Sequence, residues 1–154
     1  MPKMPEMSEM RDTPAGRRGT LPDIRHTVLL QAPIDKVWQA VATREGLAAW
    51  FMPNDLQPEP GRPFTLQTPF GTSRCRVTEA DPPRRLAFTW GDDWHVTFEL
   101  EALGDKTRLT LVHGGWIAGK VAPETGETCD VIRDRMDQGW GSTVLPRLRR
   151  VVEA

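Results

Sequence analysis

Hydrophobic positions along this chain switch between a helical period and the two-residue period of a strand. Thr27, Val28, Leu29 and Leu30 form a β-type run that meets Ala32-Pro33. Ile34, Val37, Trp38 and Val41 then fall at i, i+3, i+4 and i+7, one face of a helix. Proline suits the first helical turn, where its missing N–H has no intrahelical partner, and Asp35 faces the positive end of the helix dipole. A second short helix is predicted over Arg44 to Phe51, ended by Pro53.

Beyond a Pro-rich connection from Pro53 to Pro63, the pattern becomes alternating. Strands are predicted from about Phe64 to Gln67, Ser73 to Ala80, Arg85 to Trp90, Trp94 to Glu101 and Thr107 to His113, after a first strand from Ile24 to Gln31. Turns read at Pro69-Phe70-Gly71, Asp81-Pro82-Pro83, Gly91-Asp92-Asp93 and Gly104-Asp105. In the fifth strand Val96, Phe98 and Leu100 share one face, and His95, Thr97, Glu99 and Glu101 the other. Short turns between alternating strands mean an antiparallel meander with one buried face. The covering layer comes from Ile132, Met136, Gly139, Trp140, Val144, Leu148 and Val151, which recur at helical spacing. They predict one long helix from about Thr128 to Val152, roughly 35 Å at ~1.5 Å per residue. Pro146 predicts a kink or a break near residue 142. The expected fold class is α+β: a helix grip, with a curved six-stranded antiparallel sheet wrapped around a long C-terminal helix, two short helices after strand one, and a cavity between sheet and helix.

The length of 154 residues fits one domain, with a disordered tail over residues 1–22 and the grip over 23–154. The net charge is −1 with both signs interspersed, which excludes the basic stripe of a nucleic-acid binder. No apolar run approaches the ~20 residues of a membrane span, and the N-terminus lacks the apolar segment of a secretory signal. Cys75 and Cys129 have no metal-ligand spacing and read as reduced thiols, so the expected location is cytoplasmic.

Few residues offer chemistry. His26 shares parity with Ile24 and Val28, and His113 with Leu109 and Leu111, so both point inward. Each is either a hydrogen-bonded residue at the sheet end or a polar anchor in the cavity. His95 has the opposite parity and faces solvent, so the three histidines cannot share a metal. Glu79 has the inward parity of Cys75 and Val77, which would suit a general acid, but its place before the Asp81-Pro82 turn favours exposure. No phosphate loop or nucleophile elbow is present, and there is no tyrosine. No catalytic residue, metal or cofactor is expected. The six tryptophans are the more telling group. Trp90 has inward parity and Trp140 lies on the sheet-facing stripe, so the two meet across the gap either as plain core or as the wall of an aromatic pocket. Gly114 to Glu127 is long for a connection, and Trp116 at its apolar tip is either the lid of that cavity or a contact against the last helix.

Taken in order, Ala32-Pro33 through Val37-Trp38, Leu47 through Trp50, Pro60-Gly61 before Phe64 and Val77-Thr78-Glu79 before Pro82-Pro83 form a recognisable series. It continues with Leu86 through Trp90, Val96 to Leu100, Thr107 to His113, and Gly139-Trp140 with Leu145 and Leu148. Over residues 24–152 this series resembles the START/pollen-allergen-like superfamily, and within it the family named for homologues of the activator of heat shock protein 90 ATPase. The resemblance implies a helix-grip fold and a pocket. Polyketide cyclases, lipid carriers, hormone receptors and self-resistance proteins share that fold, so it does not by itself choose a function. The expected function is non-catalytic binding of a small apolar or aromatic molecule. The alternatives are a protein-interaction module, including a chaperone partner, and a polyketide-cyclase-like enzyme. Trp50, Phe64, Trp90, Phe98, His113, Trp116, Met136 and Trp140 are the expected ligand-binding residues.

Overall fold

The structure, a computed structural model, describes residues 19–123 and 125–154. The tail expected over residues 1–22 therefore lies mostly outside the described residues. Its last part is described: Leu21 N–H donates to Trp116 O at 3.0 Å and Ala118 N–H to Gly19 O at 2.9 Å, which straps Gly19 to Leu21 along the 116–118 loop.

Six strands, β1 (Ile24–Leu30), β2 (Pro63–Thr68), β3 (Gly71–Asp81), β4 (Arg85–Trp90), β5 (Trp94–Leu103) and β6 (Lys106–Gly114), form one sheet in the order β1-β6-β5-β4-β3-β2. Every neighbouring pair is antiparallel. Register lines Ile24, His113, Val96, Phe88 and Val77 across the inner face, and all five are buried. The β5–β6 hairpin closes on Gly104-Asp105, a two-residue turn that uses the positive φ of Gly104, 66°. In β3 the pairing with β4 shifts between Val77 and Glu79. Thr78 is the extra residue of a bulge, which reverses the facing of everything after it. Glu79 consequently leaves the parity of Cys75 and Val77, is exposed, and bonds Arg85 Nε at 2.8 Å.

Two helices follow β1: α1 (Ile34–Ala42) and α2 (Arg44–Trp50). One hydroxyl joins them. Thr43 Oγ1 donates to Gln39 O at 2.6 Å, ending α1, and accepts from Gly46 N–H at 3.0 Å, capping α2. The helices approach so closely here that a Cβ on Gly46 would sit 2.1 Å from Gln39 O. Val37, Val41 and Leu47 are fully buried by this arrangement, each contributing roughly 1.5–3 kcal/mol of transfer free energy.

The C-terminal rod is helical throughout but not uniform. It runs as α3 (Cys129–Gly139), a π-helical turn (Trp140–Val144) and α4 (Leu145–Val152). The expected kink or break is instead a change of hydrogen-bond period: Leu145 N–H reaches back five residues to Trp140 O. The π turn ends as α4 begins, with Pro146 in the first turn of α4. The stripe faces the core as expected at Ile132, Trp140 and Leu148, but past the π turn the extra residue moves its phase by one, so Leu145 and Val152 are buried where Val144 and Val151 were expected, and these two are half-buried. No helix among the described residues is long and apolar enough to cross a membrane.

Candidate aromatic ligand site

The inner sheet face and the rod do not meet through aliphatic side chains alone. Strand alternation brings Trp90, Phe98 and His113 onto the inner face, α2 delivers Trp50 and Phe51, and the π turn delivers Trp140. Their rings form a continuous series. Trp50 meets Phe98 edge-on, centroids 5.8 Å apart, and Phe98 meets Trp140 at 6.5 Å. Phe51 stacks on Trp140 at 5.1 Å and 21°, and presents its edge to Trp90 at 5.7 Å and 85°. Trp90 stacks in turn on His113 at 5.4 Å and 18°. Phe64 joins from the far side through Phe88, at 5.2 Å.

His113 is the polar centre of the series. It is fully buried among Trp90, Trp94, Trp116 and Trp140. Trp140 Nε1–H donates to its Nδ1 at 3.1 Å, and Trp116 Nε1–H donates to its backbone oxygen at 2.9 Å. An indole nitrogen can only donate, so Nδ1 is the bare acceptor and the imidazole proton sits on Nε2. That Nε2–H has no hydrogen-bond partner among the described residues. Burial, with a smaller contribution from the charge of His95, pushes the imidazole down to about 3, so it is neutral throughout the physiological range.

Seven of the eight expected site residues, all but Met136, are buried in this series or one ring removed from it. Met136 lies one helical turn before Trp140, half-buried at the margin of the core. Trp116 is buried beside His113: it packs on Trp94 at 4.6 Å and on His113 at 4.7 Å. Two rings escaped the sequence reading. Trp94, placed by the sequence only at the start of a strand, touches Trp90, His113 and Trp116. Phe51 was read only as the end of a helix, although Leu47, Trp50 and Phe51 stand at i, i+3 and i+4, a core-facing spacing.

The other candidates have structural partners. His26 Nε2 lies 2.7 Å from Asp137 Oδ1 and 3.1 Å from Asp137 O, tying β1 to α3. His95 is exposed on the outer face. Burial pushes the Cys75 thiol up to about 12, which removes it as a nucleophile. No group of three His, Cys, Asp or Glu side chains among the described residues is arranged to hold a metal. An open cleft of about 420 Å³ lies on the outer sheet face, lined by Asp81, Arg84, Arg85, Glu99, Glu101 and Arg108 among others. Its charges already match one another, Arg84 with Asp81, Arg85 with Glu99 and Arg108 with Glu101.

The sequence profile of the family described as Activator of Hsp90 ATPase homolog 1-like protein matches residues 31–153. Among solved structures, BH1534 of Bacillus halodurans is 46% identical, with a TM-score of 0.80 over 86% of this chain and 98% of that one. CalU16 of Micromonospora echinospora is 25% identical, with a TM-score of 0.67 over 88% of this chain and 82% of that one. DynU16, a protein in the dynemicin biosynthetic locus, is 25% identical, with a TM-score of 0.68 over 86% of this chain and 47% of that one. No curated protein matches the sequence.

Proposed function

Because the chain belongs to the family of Activator of Hsp90 ATPase homolog 1-like proteins, whose fold leaves the function open, we propose its role from the site itself. It is a non-catalytic, cytoplasmic binder of a small apolar or aromatic molecule, held between the inner sheet face and the C-terminal rod. The observation that carries this reading is the caged imidazole. A buried donor left without an acceptor costs roughly 1–3 kcal/mol, and His113 Nε2–H is such a donor. A ligand oxygen would remove that cost while its rings take up the indole surfaces around it. The likeness to DynU16, from a biosynthetic locus, supports a small-molecule role over a purely structural one.

The affinity is bounded. A ligand burying ~300 Å² of apolar area gains ~7 kcal/mol gross, which alone would correspond to a dissociation constant of about 10 μM, and ordering costs of several kcal/mol weaken it to roughly the millimolar range. The test is calorimetric titration of hydrophobic aromatics and fatty acids into the wild type and His113→Phe. Saturable binding of at least one compound, weakened by the substitution when that compound carries an acceptor oxygen, supports the reading. No binding by any compound removes it. The family description supports a second reading, a heat shock chaperone as partner. Stimulation of the chaperone's ATPase by this protein is the assay that would favour it.

A further inference from the structure

We propose that Phe51 is a built-in occupant of the ligand slot. Its ring fills the space between Trp90 and Trp140, and a flat, uncharged aromatic molecule displaces it. The inference rests on the binding reading above and names the ligand class for the same site.

The rings of the series divide by how they are fastened. Trp50 is pinned by its Nε1–H, which donates to Ala40 O at 2.8 Å. Trp140 and Trp116 are pinned to His113 in the same way. All three are buried. Phe51 has no polar atom in its side chain and is half-buried. It stands just past the end of α2, at the start of a long segment without regular structure that leads to β2. Its backbone is held, since Phe51 N–H donates to Leu47 O at 2.9 Å. The ring therefore leaves by rotation about its own side-chain bonds while the chain around it stays in place.

What leaves dictates what enters. Phe51 makes a near-parallel stack on Trp140 and an edge contact on Trp90, the two arrangements that the charge distribution of aromatic rings favours. A replacement keeps both only if it is flat and aromatic. Trp50, Trp90 and Trp140 bound the slot, so a charged group would lose its water without gaining a counter-ion. The neighbouring Met52 and Met136 are half-buried, and unbranched thioether side chains adapt readily to a ring of different outline. Because Phe51 competes for the slot, the observed affinity is the intrinsic one reduced by the fraction of molecules in which the ring has swung out.

The test is calorimetric titration of 2-naphthol, and of its saturated analogue decahydro-2-naphthol, into the wild type, Phe51→Ala and Phe51→Leu. Removing the competitor should tighten 2-naphthol binding by about tenfold in Phe51→Ala and by about threefold in Phe51→Leu. The saturated analogue should gain less in both. If Phe51→Ala fails to fold, the threefold change in Phe51→Leu decides the matter. Wild-type binding with no tightening in either variant would overturn the role of Phe51 and leave the binding reading standing. Equal gains for the saturated analogue would overturn the aromatic ligand class. No binding by any folded form would overturn both.

Discussion

The two ends of the aromatic series are built from similar rings and held in opposite ways. At one end His113 is a hub, with Trp140 bonded to its ring, Trp116 bonded to its carbonyl, and Leu21 bonded over Trp116 from outside. At the other end Phe51 is held by ring contacts alone, beside half-buried Met52. A large aromatic surface does not by itself distinguish a core from a binding slot. Tethering together with burial does: a ring fixed by a hydrogen bond must break that bond to move, and Phe88 and Phe98 are fully enclosed, whereas the half-buried phenyl ring of Phe51 gives up only contact energy.

Substitutions should reveal this contrast in order of size. Trp140→Ala removes a buried ring and leaves His113 Nδ1 without its donor, so a loss of roughly 3–5 kcal/mol in chemical unfolding is expected. A negligible change would mean that the hub is not load-sharing.

Acid comes next. The His113 imidazole, at about 3 in the folded state, lies below the ordinary value of about 6.5. As pH falls through 6.5 the unfolded chain takes up a proton that the folded chain refuses. Stability present above pH 6.5 should therefore fall by about 1.4 kcal/mol per pH unit until about pH 3. Between pH 6.5 and 4 that is on the order of 3 kcal/mol. Asp55, whose carboxylate is lowered chiefly by the Thr65 backbone N–H, loses stability over a lower range. The comparison that isolates His113 is the pH slope of His113→Gln, which should be shallower than that of the wild type; an equal slope would contradict the assignment.

Phe51→Ala should cost only ~1–2 kcal/mol, below the range for a fully buried phenylalanine, and a loss as large as that of Trp140→Ala would erase the distinction between the two ends. The smallest effect is expected at the His26–Asp137 link, both partly exposed. Asp137→Asn should change stability by less than ~1 kcal/mol, measured by thermal unfolding near neutral pH.

Much of this arrangement was legible in the chain. Strand β4 has its expected bounds to the residue, and the inward parity of Phe98, Leu100 and His113 holds because nothing interrupts β5 or β6. The register of β3 was not legible beyond Val77, because one extra residue at Thr78 turns Glu79 outward and no turn signal marks it. The π turn escaped for a similar reason: its one extra residue moves the buried stripe from Val144 and Val151 to Leu145 and Val152, and because Val-Leu and Val-Val are apolar at both positions the sequence pattern does not show the shift, though Pro146 pointed to the place. The eight expected site residues were found as apolar and aromatic positions. The Trp140–His113 bond, which fixes the tautomer and creates the orphan Nε2–H, joins residues 27 apart and depends on packing that no local pattern encodes. Phe51 was hidden by its neighbour, since Trp50 accounted for the end of α2 without it.

The most direct test of the central claim, that a flat aromatic molecule enters at the Phe51 end, is to follow the indole N–H signals by nuclear magnetic resonance during a 2-naphthol titration. Trp140, which carries the stack with Phe51, should shift progressively and saturate, while Trp116, on the far side of His113, should move little. Shifts at Trp116 with none at Trp140, or no shift at either, would contradict it.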